Sequence, residues 1–303
     1  MCCFAGPVRS VTNTNLFARM TGRDTQMLAY QMEFETEELN AMILPLPVRL
    51  SAREDSVRFI SLKGYDQFFD HLDNAFPAIT PPSNSLSRSA APMAGIDSQL
   101  VVHEVGDFVA SFVPTMKDFS RLDQRFVIPE SSWDKIPHYS DYGFAVFQLK
   151  NLQGKPHPMA FEFETRMRDE IFFPTVHIHD GEVHRREAFD HTLYLQNAKF
   201  DEVVTDYVNY HVKDRRTGFV RSRDIAKKYC KIEKSAGMIE PDLLLHRITM
   251  SGTLENKDII TPLAVRQGKS PAFRFGHLLP FVPVLAGLGW IVNRRNQLRK
   301  QGS

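Results

Sequence analysis

The chain has 303 residues, enough for one large hydrophobic core or two of ordinary size, and two subdomains are the expected arrangement. Hydrophobic residues make up 43% of the sequence and charged residues 24%, and this composition excludes a chain that is disordered throughout. The formal net charge of +1 excludes recruitment of nucleic acid or anionic membrane by an overall field, so any such binding needs a local patch.

The cysteine content excludes a disulfide-stabilised scaffold. Only Cys2, Cys3 and Cys230 are present, and two adjacent cysteines are poorly placed to bridge each other. The first ten residues, MCCFAGPVRS, contain no basic region followed by an apolar run, so we recognise no secretory signal in them. We therefore expect a cytoplasmic protein, with association to a membrane as an additional possibility.

The amino-terminal segment, residues 1–77, is predicted to be a β-rich subdomain with one helix. Residues 8–50 read as successive strands, the last of them in the apolar run NAMILPLPV. Aromatic and aliphatic residues then follow at three- and four-residue spacing from Tyr65 to Phe76, which predicts a short helix stopped by Pro77. Residues 78–98 are rich in Pro, Ser and Ala and are predicted to be a loop or linker.

The central segment, residues 99–262, is predicted to be a second, antiparallel β subdomain. Its strands are joined by short connections such as Gly106-Asp107, and short connections favour antiparallel pairing. Short helices are predicted at 120–126 and, with a basic face, at 222–234. Together the segments predict an α+β fold, mainly antiparallel β-sheet with a few short helices, followed by an apolar, basic-ended tail at 263–303.

Several of these strands carry a family resemblance. The runs NAMILPLPV, VVHEVGDF, YGFAVFQLK, HPMAFEFET and FFPTV, with Leu122 and Pro129 between them, make residues 1–200 similar to a bacterial family of uncharacterised proteins, a domain of unknown function. The resemblance implies a protein that is usually secreted or anchored to a membrane. It implies no mechanism and no catalytic residue.

The stretch PTVHIHDGEVHRREAFDH, residues 174–191, predicts a β-hairpin with histidines on one face. Asp180-Gly181 between two alternating runs is a strong signal for a two-residue turn. That turn would set His179 opposite Glu182 and His177 opposite His184, with all four side chains on one face.

This predicted face has the composition of a metal site. Three imidazoles and one carboxylate suit zinc, iron or another divalent transition metal, with His177, His179, Glu182 and His184 as ligands. Glu182 could instead act as a general base, which would make the protein a metal-dependent enzyme. Asp190 and His191 could add outer contacts or a further ligand. The alternative is an ordinary polar hairpin surface without metal.

Cys2 is a second candidate catalytic residue. Removal of the initiator methionine would leave a free α-amine beside the Cys2 thiol, the arrangement that N-terminal nucleophile hydrolases use. The class II amidotransferases of that group begin Met-Cys-Gly-Ile, whereas Cys2 is followed here by Cys3-Phe4. The alternative is a terminus that only packs or frays.

The carboxyl-terminal tail is a candidate docking segment. Residues 275–293 carry no formal charge and are followed by Arg294, Arg295, Arg299 and Lys300. The apolar part is shorter than the ~20 residues that span a bilayer. We therefore expect residues 275–300 to contact a protein partner or a membrane surface, and the protein would then be a non-catalytic structural or interaction protein. The basic residues at 213–234 lack an accompanying nucleic-acid module, so nucleic acid is not favoured as a partner.

Overall fold

A computed structural model of the chain describes residues 2–76, 102–123, 126–128, 130–204, 213–214 and 216–264. Within these ranges most of the regular structure is strand. The strands are β1 Cys2–Phe4, β2 Ser10–Met20, β3 Thr25–Glu35, β4 Ala41–Leu46, β5 Val57–Ser61, β6 Val102–Val105, β7 Phe108–Val113, β8 Gly143–Leu149, β9 Gln153–Gly154, β10 Met159–Glu164, β11 Glu170–Phe173, β12 His177–Ile178, β13 Arg186–Gln196, β14 Val220–Arg221, β15 His246–Glu255 and β16 Ile259–Pro262.

The helices are short. The α-helices are α1 Phe68–Asp73, α2 Glu130–Trp133 and α3 Ala198–Val203. The 3₁₀ helices cover Glu54–Ser56, Met116–Arg121, Pro137–Tyr139, Ala226–Lys228 and Ile232–Lys234. In the part of the chain that the structure describes, no helix has both the length and the hydropathy to cross a bilayer.

The strands form two large sheets and one small one. The first sheet has the order β12-β1-β4-β8-β7-β6, and the second has the order β14-β15-β13-β2-β3-β10-β5, with β9 added to β3. β11 and β16 form a separate pair. Neighbours are antiparallel except β1 with β12 and β2 with β13. The predicted fold class, α+β and mainly antiparallel β-sheet, is confirmed.

The second sheet is covered on both faces. On one face, Phe161 of β10 lies 5.8 Å, ring centroid to ring centroid, from Phe147 of the first sheet. On the other face, Phe17 of β2 lies 5.8 Å from Phe68 of α1. Side chains from the 226–245 segment join α1 in that cluster. Because successive strand residues point to opposite faces, the largely buried strands β3 and β10 can fill both interfaces.

The two predicted segments share both large sheets. β4 of the amino-terminal segment pairs with β8 of the central segment, and β3 pairs with β10 in the same way. β2 pairs with β13 as well. The predicted linker at 78–98, which lies outside the described residues, therefore does not separate one sheet from another.

Several local predictions are confirmed by the structure. The predicted helix before Pro77 is present as α1, with Phe68, Phe69 and Leu72 buried. The predicted turn at Gly106-Asp107 joins β6 to β7, with Val105 directly opposite Phe108. Gly106 has a φ of 61°, a left-handed value that favours glycine.

The predicted basic helix at 222–234 is wrong. The segment forms two separate 3₁₀ turns, because backbone N–H groups that a helix would use internally bond elsewhere. Ala226 donates to the carbonyl of Leu243 and Lys227 to that of Pro241, at 2.8 and 3.0 Å. Of the short helix predicted at 120–126, the first two residues lie in the 3₁₀ helix Met116–Arg121, and residues 124–125 lie outside the described residues.

Candidate functional site: a buried histidine cluster

His177 is placed by the first strand of the chain. β12 pairs in parallel with β1, in a register that sets Cys2 opposite His177 and Cys3 opposite Ile178. The backbone of His177 is also fixed by Asn256, whose side-chain oxygen accepts from the His177 N–H at 2.7 Å and whose side-chain nitrogen donates to the His177 carbonyl at 2.9 Å. His177 is consequently held at both backbone polar groups and is only 2% exposed.

The predicted hairpin at Asp180-Gly181 is wrong. Asn256 donates a second hydrogen bond to the carbonyl of His184, at 2.9 Å, and so lies between the two backbones that the hairpin would have paired. The Asp180 carboxylate accepts from the Glu182 N–H at 2.9 Å, which closes a local turn of another kind. Residues 182–184 are not in a strand.

Two of the four predicted ligands, Glu182 and His184, therefore lie apart from the other two. Glu182 is exposed and forms an ion pair with Lys135. His184 is exposed and its Nε2 lies 2.9 Å from Asp180 Oδ2, and this carboxylate raises the pKa of His184. Neither side chain belongs to the histidine cluster, so Glu182 is not placed to serve that cluster as ligand or general base.

A different set of rings surrounds His177. Its ring centroid lies 4.9 Å from that of His179 and 4.8 Å from that of His191, and both pairs are nearly parallel. Phe189 stacks on it as well, at 4.5 Å. The Nε2 atoms of His177 and His191 are 3.1 Å apart. The histidine cluster, defined here as His177, His179 and His191, thus shares two residues with the predicted set.

Asp190, a residue of β13 in the second sheet, contacts the cluster through His191. Its Oδ1 lies 3.5 Å from Nδ1 of His191, and its Oδ2 accepts from the backbone N–H of Asn13 at 2.6 Å. Asn13 lies in a β-bulge of β2, between Thr12 and Asn15, and has a φ of 53°. Bulges of this kind re-aim backbone and side chains next to functional sites.

The three imidazoles are neutral at physiological pH. Burial lowers the pKa of His179 and of His191 to about 4, and it lowers the pKa of His177 further still. A neutral imidazole carries one N–H and one lone pair, so each ring has a nitrogen that can accept a proton or bind a metal. Nδ1 of His177 and Nε2 of His179 are buried and have no hydrogen-bond partner in the described part of the chain.

A pocket of about 230 Å³ opens beside the cluster. It is lined by Val11, Thr12, Thr14, His177, His179, Ala188, Phe189 and Asp190. Two buried ring nitrogens without a partner in the described chain therefore belong to residues that line a pocket, and buried polar groups of this kind call for an explanation. Among the described residues, no three His, Cys, Asp or Glu side chains are arranged as a finished metal-ligand set.

The other candidate sites are tested less directly. The backbone of Cys2 lies beside that of His177, which brings together two sites that the sequence had suggested separately, but the hydrolase role of Cys2 stays a prediction. Residues 275–300 lie outside the described residues, so docking through them also stays a prediction. Sequence reasoning offered His191 as an outer contact or a further ligand, and it missed Asn13 and Asn256, for which the sequence gives no signal.

Comparison with known proteins gives distant similarities only. No protein-family model matches the sequence. The chain is similar to the crystal structure of baculovirus P35, with 14% identity, a TM-score of 0.43 and coverage of 84% of this chain and 97% of that one. A chain of the caspase-8/P35 complex gives 12% identity and a TM-score of 0.44, again over 84% and 97%. A mutated baculovirus P35 after caspase cleavage gives 13% and 0.40, over 84% and 98%. Values this low do not transfer a function to the chain.

Proposed function

We propose that this protein binds one divalent transition-metal ion, zinc or iron being the expected choices, through the imidazoles of His177, His179 and His191. The observation that carries the proposal is the separation of 3.1 Å between Nε2 of His177 and Nε2 of His191. Two nitrogens bound to one tetrahedral ion at 2.0–2.1 Å are about 3.3 Å apart. The pair is therefore close to the spacing that shared coordination requires.

The contact to Asp190 supports this assignment. A carboxylate beside Nδ1 favours the tautomer of His191 that has its proton on Nδ1, because the N–H then faces the negative charge. Nε2 of His191 then presents its lone pair toward Nε2 of His177. Either a proton or a metal cation must lie between two such nitrogens, and a histidine whose second nitrogen faces a carboxylate is the arrangement that metal-binding histidines commonly have.

His179 supplies the third ligand in this proposal. Its ring is stacked on that of His177, and its Nε2 has no hydrogen-bond partner in the described chain, so turning the ring toward the other two nitrogens breaks no hydrogen bond at that atom. A rotation of this kind is needed, because the three rings do not form a finished ligand set as they stand. Water or a small ligand from the pocket would complete the coordination.

The competing interpretation is a purely structural cluster, in which His177 donates a hydrogen bond to His191 and no metal is bound. Both interpretations keep the rings neutral and close together, so stability alone does not separate them. Metal stoichiometry does separate them, and so does the effect of each histidine on metal affinity.

The test is titration of chelator-treated protein, purified without a histidine tag, with Zn²⁺ by calorimetry and with Co²⁺ by visible absorption. We expect one ion per chain, and an affinity at least about tenfold lower in His179→Gln and in His191→Gln. His184→Gln is the matched control and should bind as the wild type does. Circular dichroism establishes that each variant is folded. Absence of saturable binding, or equal affinity in the three variants, would overturn the proposal.

A further inference from the structure

We infer that Asp180-Gly181 is a site of covalent self-modification, at which the aspartate converts to isoaspartate with His184 as the general acid. In this conversion the backbone nitrogen of the following residue attacks the aspartate side chain. Glycine hinders that nitrogen least, because it has no side chain. The inference does not depend on the proposed metal site.

The turn leaves the reacting atoms accessible. The Asp180 side chain is 56% exposed. Gly181 has a φ of 82°, a left-handed value that residues with a side chain rarely adopt. A Cβ atom built on Gly181 would meet no atom of the described chain within 4 Å. No described neighbour therefore blocks the approach of the Gly181 nitrogen to the carboxyl group.

The Asp180 carboxyl group is folded toward the chain that follows it. Its Oδ1 accepts from the Glu182 N–H at 2.9 Å, so the side chain closes a ring over the peptide groups on either side of Gly181. Ser132 Oγ donates to the Gly181 carbonyl at 2.6 Å and holds the far side of this turn. Groups held together in this way react faster than freely moving ones.

His184 lies at the oxygen that has to leave. Its Nε2 is 2.9 Å from Oδ2 of Asp180, within the distance over which a general acid transfers a proton. The Asp180 carboxylate raises the pKa of His184, so the ring keeps its proton closer to neutral pH than a free imidazole does. A carboxylate oxygen leaves readily only when it is protonated, and His184 is placed to protonate it.

The conversion proceeds in two steps. In the first, the Gly181 nitrogen bonds to Cγ of Asp180 and releases its proton to solvent. Oδ2 takes one proton from His184 and one from solvent, the Cγ–Oδ2 bond breaks, and water leaves. In the second, water adds to the main-chain carbonyl carbon of Asp180 and breaks its bond to the Gly181 nitrogen, and the new carboxyl group returns a proton to His184. The chain then continues through Cγ, with no net oxidation or reduction.

The new linkage adds one carbon to the main chain directly after His179. The carbonyl of His179 accepts from the Val8 N–H at 3.0 Å, so the change falls next to a contact that holds the start of the chain. It also displaces the carboxylate that His184 and the Glu182 N–H now contact.

The test is incubation of the folded, chelator-treated protein at physiological temperature and pH, followed by trypsin digestion. Electron-transfer fragmentation in a mass spectrometer distinguishes isoaspartate from aspartate in the peptides 169–185 and 54–58. Asp55, which is exposed, precedes Ser56 and pairs with Arg53, is the control within the same chain. We expect isoaspartate to form at Asp180 at least about tenfold faster than at Asp55.

Two variants test the two parts of the inference. His184→Gln keeps a hydrogen-bonding side chain without the acid and should slow the conversion at least about tenfold in folded protein. In urea it should react as fast as the wild type, because the contact is then absent. Gly181→Ala should also slow the conversion, because its Cβ hinders the nitrogen and the φ is unfavourable. Lys135→Gln releases the neighbouring Glu182 ion pair and should react as the wild type does.

Circular dichroism establishes that each variant is folded before incubation. The inference is overturned if Asp180 converts no faster than Asp55 in the folded wild type. It is also overturned if folded His184→Gln converts as fast as the wild type, or if its rate differs equally in urea, because His184 would then not act through the folded contact. Neither result bears on metal binding, which is measured separately.

Discussion

The imidazole rings of His177 and His191 lie nearly parallel, with their centroids 4.8 Å apart and their Nε2 atoms 3.1 Å apart, although 14 positions separate them in the chain. His177 belongs to β12 in the first sheet and His191 to β13 in the second. Their contact therefore joins the two sheets. A metal ion bound by both residues would act as a cross-link between the sheets, and would stabilise the folded chain by mass action.

The first prediction concerns the two residues that the hairpin would have placed in the site. Replacing Glu182 or His184 by Gln should leave metal affinity within about twofold of wild type, because both side chains are exposed and contact Lys135 and Asp180 instead. Competition with a chromophoric chelator measures the affinities. A tenfold loss in either variant would mean that the 179–185 loop rearranges around the metal, and that the arrangement described for the metal-free chain is not the binding form.

The two glycine-containing turns show what local sequence can predict. Gly106-Asp107 forms the two-residue turn that its flanking strands predict, since β6 and β7 pair with each other. Asp180-Gly181 has equally favourable residues and does not form one. β12 pairs instead with β1, and Asn256 binds both backbones that the turn would have joined. Partners supplied by distant parts of the chain override a local turn signal, and no local pattern reveals them.

The same reasoning explains why the site was only half predicted. His177 and His179 lie two positions apart, so their shared face follows from strand alternation alone. His191 reaches the site because β13 pairs with β2 and β15. The register of these pairings joins distant parts of the chain, and the sequence near His191 does not determine it. Asn13 is placed beside Asp190 by a bulge in β2. The position of a bulge depends on how neighbouring strands fit together.

The second prediction concerns this bulge. Asn13 has a φ of 53°, which glycine and asparagine tolerate and a β-branched residue does not. We expect Asn13→Val to lower the free energy of unfolding by about 1–2 kcal/mol, and Asn13→Gly to stay within about 0.5 kcal/mol of wild type. Urea denaturation followed by circular dichroism measures both. Ser10→Val, on the exposed start of the same strand, is the control.

Asn13→Val should also weaken metal binding, because a valine that leaves the left-handed region turns the backbone N–H of position 13 away from the Asp190 carboxylate that faces His191. Loss of such an outer contact typically costs 10–100-fold in affinity. If Asn13→Val is destabilised and yet binds metal as the wild type does, Asp190 does not position His191.

The third prediction is a pH dependence of stability at His246. This residue is fully buried, with Nε2 2.7 Å from Asp201 Oδ1, and burial lowers its pKa even though the carboxylate raises it. In the unfolded chain the residue takes up a proton near pH 6.5. The unfolded state then binds more protons than the folded state, so the stabilisation is complete above pH 6.5 and is lost as the pH falls toward the folded-state pKa.

We therefore expect the wild type to lose stability between pH 7 and pH 5 more steeply than His246→Gln does, by up to about 1.4 kcal/mol per pH unit. Urea denaturation at a series of pH values gives the two slopes. His184→Gln is the control, because the Asp180 carboxylate raises the pKa of that exposed residue and its removal should not flatten the acid side. Equal slopes in wild type and His246→Gln would contradict the prediction.

The fourth prediction tests the packing of the first sheet at Gly143, the first residue of β8. A Cβ atom at this position would lie 2.5 Å from Cζ of Phe112 and 2.9 Å from Cγ2 of Val48, and both of those side chains are buried. Because neither ring nor branched side chain can move away without disturbing the core, we expect Gly143→Ala to lower the free energy of unfolding by about 1–3 kcal/mol. Gly22→Ala is the matched control, since the nearest atom to its Cβ would be Thr25 Oγ1 at 4.0 Å, and it should stay within about 0.5 kcal/mol of wild type. Urea denaturation of the two variants measures both free energies of unfolding. Equal stabilities would contradict the prediction, because Phe112 and Val48 would then not pack on β8 as closely as these distances indicate.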